Sequence, residues 1–200
     1  MLIKTLTVGQ MEENCYVVTD EDSLLCAVID PGDESNTILD YIEENHLTPV
    51  AILLTHGHFD HTGAVETIRE ETGAPVYINR EDTSEQYEDY RWKPIDGARY
   101  ITDGQIIEVG KLRFRVLETP GHSKGSVTFR CEDALFTGDT LFRGSAGRTD
   151  LPGGDYDRLM ASLRRLADIP GDLEIYPGHE APSTLNIERA TNYYMRLSKE

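Results

Sequence analysis

Nine residues constrain this chain more than any others: Thr55-His56-Gly57-His58-Phe59-Asp60-His61-Thr62-Gly63. They place three imidazoles and a carboxylate within six positions, directly after the apolar run Val50–Leu54. That run reads as a buried strand, and the spacing from His61 to Glu71, with Val65 and Ile68 apolar, reads as a helix. The cluster therefore stands where a strand opens into a loop and a helix, the junction at which α/β proteins tend to place their chemistry. His and Asp are also the side chains expected around zinc or another borderline divalent ion. A solvated loop has no need of this pattern.

The remaining chain is read in order. Leu2–Val8, Cys15–Thr19 and Leu24–Ile29 are strands, the last stopped by Asp30-Pro31-Gly32. Ser35 or Asp33 caps a helix to about Asn45 that turns Ile38, Leu39 and Ile42 inward. Gly73-Ala74-Pro75 ends the helix after the cluster, Val76–Ile78 is a short strand, and residues 80–90 form a polar helix. The acidic group from Glu81 to Asp89 is its solvated face. Strands follow at Arg99–Thr102, Gln105–Val109, Leu112–Glu118, Ser126–Cys131 and Ala134–Thr137. Tyr156, Leu159, Leu163 and Leu166 form a helical core stripe. Leu173–Tyr176 is the last buried strand, and a closing helix spans Ser183 to Leu197. Two runs of strands, each interrupted and followed by helices, predict two facing sheets with helices outside, in one domain over residues 1–200.

Three more strands end in a metal-competent side chain beside glycine: Pro120-Gly121-His122-Ser123, Gly138-Asp139-Thr140 and Pro177-Gly178-His179-Glu180. Five of the six histidines thus lie at strand ends, and only His46 needs no more than a surface explanation. One histidine at a strand end is ordinarily structural; four strand ends carrying ligands together call for metal. The residue types suffice for two ions. His56, His58 and His122 suit one, Asp60, His61 and His179 the other, and Asp139 can bridge them. Two divalent ions about 4 Å apart acidify and orient a shared water and polarise a carbonyl. No Ser-His-Asp set or G-x-S-x-G elbow competes as nucleophile.

Charge narrows the partners. A net charge of −17 disfavours nucleic acid and anionic membrane surfaces. No signal segment or run of about 18 apolar residues is present, and Cys15, Cys26 and Cys131 read as buried and reduced. The expectation is a cytoplasmic protein, monomeric or homodimeric, acting on a small molecule.

The full ordered pattern, His-x-His-x-Asp-His and then His, Asp and His at later strand ends, resembles the metallo-β-lactamase superfamily across essentially the whole chain. The resemblance implies an αββα sandwich of two mixed sheets, a dinuclear site in the groove between them, and the ligand roles given above for His56, His58, Asp60, His61, His122, Asp139 and His179. Its cofactors would be two zinc ions per chain, with iron or manganese as alternatives. Thr137–Phe142 and Gly147-Arg148 are similar to the glyoxalase II group of thioester hydrolases. In that group a hydroxide held between two metal ions attacks an acyl carbonyl. The resemblance gives Asp60 and His58 catalytic duty beside their ligation, and gives Arg148 a substrate carboxylate, for which its guanidinium is suited. The competing role for Arg148 is an ion pair with Asp150 or another local acid. Asp139 argues against a true β-lactamase, and His58 against the diiron flavoprotein relatives. Two departures bear on glutathione. Ala181 stands where the group has Tyr, and the chain ends about twenty residues after His179, without the group's C-terminal helical extension. The expectation is a hydroxyacylglutathione hydrolase-like thioester hydrolase whose thiol carrier is left open, with another acyl thiol, an ester or a lactone as the further substrates. The alternative enzyme is a persulfide dioxygenase, in which residues like His56, His122 and Asp139 hold a single iron.

Overall fold

The computed structural model describes residues 1–83 and 97–199, and in it the apolar runs become two six-stranded sheets packed face to face. The first sheet follows chain order: β1 (Leu2–Val8), β2 (Glu13–Thr19), β3 (Leu25–Ile29), β4 (Thr48–Leu53), β5 (Val76–Asn79) and β6 (Arg99–Ile101). β1 to β3 are antiparallel, whereas β3 to β6 are parallel. Parallel neighbours need crossovers, and α1 (Ser35–Glu44), α2 (Phe59–Thr62) and α3 (Val65–Thr72) lie in two of them.

The second sheet holds β7 (Ile106–Val109), β8 (Leu112–Glu118), β9 (Val127–Cys131) and β10 (Ala134–Gly138) as an antiparallel meander. A hairpin of β11 (Leu141–Phe142) and β12 (Ser145–Ala146) follows. The chain then crosses through α4 (Tyr156–Ala167) to β13 (Glu174–Pro177), which pairs parallel with β10, and β14 (Ser183–Thr184) forms the edge. α5 (Leu185–Thr191) and α6 (Tyr193–Leu197) close the described chain.

Strand alternation builds the layers. On β2, Tyr16 and Val18 join the core between the sheets, while Cys15 and Val17 join the core under α1 and α3. Buried on both faces, such strands read as continuous apolar runs. Phe114, Phe129 and Phe136 fill the space between the sheets, each burial worth about 1.5–3 kcal/mol. Leu159, Leu163 and Leu166 press α4 onto the outside of the second sheet. All three cysteines are buried and unpaired. The expected αββα sandwich is therefore the fold, and no helix among the described residues is long and apolar enough to cross a membrane.

Several expected elements differ. The helix expected from His61 to Glu71 is two, α2 and α3, because Ala64 N–H donates to the Pro31 carbonyl instead of continuing the first turn; Gly63 beside it has no room for a side chain against the Gly32 carbonyl. Neither Ser35 nor Asp33 caps α1; its N-cap is Glu34, in the left-handed region, without a side-chain cap bond. Tyr156 is exposed and leaves the core stripe to the leucines. The closing helix is broken at Asn192, which is wholly buried. Its side chain accepts from Tyr194 N and Met195 N and donates to the carbonyls of Phe142 and Ser145. Of the polar helix expected over 80–90, Arg80–Thr83 is one 3-10 turn and the rest lies outside the described residues.

Candidate metal centre

The parallel strands bring their C-terminal ends to one rim, and a few bonds lock the two sheets together there. Val127 N–H donates to the Thr55 carbonyl at 2.8 Å, joining β9 to the His loop. From β2, the Tyr16 hydroxyl and Asn14 Nδ2 donate to the Pro177 carbonyl, at 2.6 and 3.2 Å. Gly178 N–H donates to the Gly138 carbonyl at 2.9 Å, so the loops after β10 and β13 run side by side.

On this rim all seven residues expected as ligands converge. The candidate ligand atoms of His56, His58 and His122 lie within 4.8 Å of one another, as do those of Asp60, His61 and His179. Asp139 stands between the groups. Its Oδ2 is 3.5 Å from His122 Nε2 and 3.7 Å from His179 Nε2, and its Oδ1 is 3.4 Å from His61 Nε2. Asp60 Oδ2 is 3.2 Å from His179 Nε2. The flanking glycines are needed for space. A side chain at Gly178 would meet the Asp139 carboxylate and the His61 ring, and one at Gly138, whose φ is +47°, would meet Thr55.

Hydrogen bonds decide which nitrogen each imidazole presents. Thr55 Oγ1 gives its one proton to Asp30 Oδ2 at 2.6 Å, so it accepts from His56 Nδ1 at 3.0 Å and leaves His56 Nε2 as a lone pair. His61 Nδ1–H donates to Asp30 Oδ2 at 3.1 Å. His122 and His179 donate through Nδ1 to the carbonyls of Arg148 and Met11, at 2.9 and 3.0 Å. Four rings thus turn Nε2 inward, each fixed by an outer partner, as metal-binding histidines are. His58 turns Nδ1 inward, 2.9 Å from His122 Nε2. His56 Nε2, His61 Nε2 and Asp139 Oδ1 are buried without a hydrogen-bond partner. Such atoms are rare in a folded protein, and their presence within the two ligand groups fits cations there.

The electrostatics agree. Burial, reinforced by neighbouring imidazoles, pushes His56 well down, and His58 to about 4. Both are neutral lone-pair donors at neutral pH. Burial also works against charge on His61 and His179. It is outweighed at His61 by Asp139 and Asp30, and at His179 by Asp60 and Asp139, so both are raised. Asp139 is held well below the usual carboxylate range by His61, His122 and His179, against its burial. The second group therefore favours positive charge, of the kind a divalent ion would supply.

Three supporting carboxylates escaped the sequence reading. Asp30, read only as a strand stop, takes Thr55 N–H at 2.7 Å besides the two bonds above. Asp30, His56 and His61 also lie together as a metal-competent group, but Asp30 is already committed to those donors. Glu13 is buried with both oxygens unpartnered, 3.7 Å from His61 Nδ1, and burial raises its carboxyl. Asp82, read as part of a solvated acidic face, is instead 5 % exposed beneath the His loop. The segment carrying it has no periodicity to reveal this.

The centre opens into a cleft of about 390 Å³ whose other walls are Met11, Phe59, Phe142, Arg148 and Leu151. Tyr16 is buried between the sheets and takes no part in the wall. Arg148 reaches the cleft and also pairs through two nitrogens with Asp150, both at 2.7 Å.

A model of the metallo-beta-lactamase superfamily matches residues 8–179. The hydroxyacylglutathione hydrolase GloC of Haemophilus influenzae is 32% identical, with 98% of this chain and 98% of that protein covered. The crystal structure of BLEG-1, described as a B3 metallo-beta-lactamase, matches with a TM-score of 0.87 at 33% identity, covering 97% of this chain and 99% of that one. TTHA1623, crystallised in a di-iron-bound form, matches with a TM-score of 0.85 at 38% identity, covering 96% of this chain and 99% of that one. With the ligand pattern complete, the sandwich formed and the family model spanning most of the sequence, this chain belongs to the metallo-β-lactamase superfamily.

Proposed function

We propose that the protein is a dinuclear metal-dependent hydrolase of acyl thioesters. The observation that carries this is the pair of three-residue ligand groups with Asp139 between them. His56, His58 and His122 would hold one ion, Asp60, His61 and His179 the other, and Asp139 both. When bound, two divalent ions supply an acidified water and a positive charge toward which an acyl oxygen polarises.

The chain's own residues do the rest. Asp60 is 13 % exposed at the mouth of the cleft, where Oδ2 can accept a proton from an attacking water and so aim its lone pair. His58 shares that wall, and its low proton affinity keeps it from quenching the charge. Met11, Phe59, Phe142 and Leu151 form apolar walls for the methylenes of an acyl group or thiol carrier. Arg148 is the cation in the cleft wall of a strongly acidic chain, and would draw a substrate carboxylate there at the expense of Asp150.

GloC supports a thioester of glutathione, and Ala181 leaves the thiol open. Similarity to BLEG-1 adds β-lactams to the substrates to be tried, although Asp139 argues against them. The di-iron form of TTHA1623 makes iron a candidate beside zinc and manganese. The single-iron dioxygenase is disfavoured because the second ligand group is assembled in full.

The test is hydrolysis of S-lactoylglutathione, other acyl thioesters, lactones and a β-lactam by metal-loaded protein. Turnover of a thioester, lost by at least about 100-fold in His58→Ala and Asp139→Ala, is expected. Oxygen uptake with a persulfide and no hydrolysis of any ester would overturn the assignment.

A further inference from the structure

Asp82 sits in the 3-10 turn Arg80–Thr83 that follows β5, and its carboxylate accepts three hydrogen bonds. Oδ2 takes Gly57 N–H at 2.9 Å and the Ser123 hydroxyl at 2.7 Å, while Oδ1 takes Gly125 N–H at 2.6 Å. The donors belong to two separate loops. Gly57 lies between His56 and His58, and Ser123 follows His122 directly. One buried carboxylate therefore ties together the two loops that bring the first ligand group. A serine relay holds the second of them. Ser123 has spent its proton on Asp82, so its oxygen accepts from the Ser126 hydroxyl at 2.6 Å, and Ser126 accepts from Ser123 N–H at 3.1 Å.

None of these bonds reaches the second group. His61 is fixed by Asp30, and His179 by the Met11 carbonyl. Two carboxylates thus back the centre: Asp82 ties the loops of the first group only, whereas Asp30 bonds His61 directly and His56 through Thr55.

We infer that Asp82 is a positioning residue for the His56–His58–His122 ion alone: it sets the spacing of the two loops and hence the affinity of that position. Three donors on one carboxylate explain why Asp is needed. In Asp82→Asn, one edge of the amide presents N–H either to Gly125 N–H or to Gly57 N–H and the Ser123 hydroxyl, so one loop must move away. Loss of a partner behind metal ligands typically costs 10- to 100-fold in metal affinity.

The experiment is cobalt(II) titration of metal-free protein, following the visible spectrum and the bound equivalents by dialysis. His179→Ala supplies the reference spectrum for an ion at the first position. The inference rests on the two-ion reading, which the wild type tests separately: fewer than two equivalents there overturns that reading. Given two in the wild type, Asp82→Asn is expected to weaken the first position by about 10- to 100-fold and leave the second within about twofold. Ser123→Ala removes one of the three bonds without leaving a charged group misplaced. It should shift the same position in the same direction by less, and it carries the test if Asp82→Asn does not fold. Equal weakening of both positions, weakening of the second alone, or unchanged affinities at a lowered melting temperature would overturn the inference.

Discussion

Asp30→Asn perturbs the carboxylate that bonds His61 and keeps the shape of the side chain. The carboxylate is 2 % exposed and accepts from Thr55 N–H at 2.7 Å, Thr55 Oγ1 at 2.6 Å and His61 Nδ1 at 3.1 Å. An amide oxygen can keep Thr55 N–H. The amide nitrogen then faces two donors, the Thr55 hydroxyl and His61 Nδ1–H. Relief requires His61 to move its proton to Nε2, the atom 3.4 Å from Asp139 and 3.8 Å from Asp60. The lone pair needed for metal is thereby lost. Two hydrogen bonds to a charged group, at about 1.5–3 kcal/mol each, set an upper limit near 6 kcal/mol. The tautomer change recovers part of this, so urea unfolding of metal-free protein should show a loss of about 2–4 kcal/mol, a large share of an ordinary domain's stability. Metal titration should show the second position weakened by about 10- to 100-fold, with a smaller loss at the first, where Asp30 holds His56 through the Thr55 hydroxyl. Imidazole nitrogen NMR would report the proton on His61 directly. A variant within 0.5 kcal/mol of wild type, with two ions bound normally, would refute the reasoning about donors and tautomers.

Three further outcomes follow from the same geometry. Protons and metal compete for the same lone pairs, and the pKa directions make the competition unequal: His56 and His58 lie below the ordinary value, His61 and His179 above it. As pH falls from 7 toward 5, the second position should release its ion first, read by cobalt spectra during stepwise dialysis; release from the first position before the second would contradict this. Arg148→Ala should raise KM for an anionic thioester by about 3- to 10-fold with little change for a neutral one, the scale of one partly exposed charge contact; equal effects on both substrates would remove Arg148 from recognition. Leu163→Ala, wholly buried under α4, should cost about 2–5 kcal/mol in denaturant unfolding while leaving metal stoichiometry intact.

The candidate ligand set was legible because each member stands at the end of an apolar strand, a pattern that survives without long-range information. That His56 to His61, His122, Asp139 and His179 belong together could be read from those strand ends, whereas their roles as ligands came from the family resemblance. The supporting carboxylates were not legible. Asp82 differs in no local way from the acidic residues around it, and only the donors brought from Gly57, Ser123 and Gly125 distinguish it. Asp30 looked like punctuation because its partners are 25 and 31 residues away. The broken helices failed to show for a similar reason. Val65 and Ile68 continue the apolar spacing past Gly63, and the interruption comes from Ala64 N–H bonding to the Pro31 carbonyl, far from it in sequence. At Asn192 the break is made by bonds to the β11–β12 hairpin, which itself had no periodic signal. Arg148 drew two sequence readings, and the structure contains features of both: it lines the cleft and pairs with Asp150.

The most direct test of the account is metal stoichiometry of protein purified without added metal, measured by mass spectrometry of the element and repeated in His122→Ala and His179→Ala. Two tightly held divalent ions per chain in the wild type, and one in each variant, is the predicted result. A single ion in the wild type, retained unchanged in His179→Ala, would contradict the two-position centre on which the proposed hydrolysis depends.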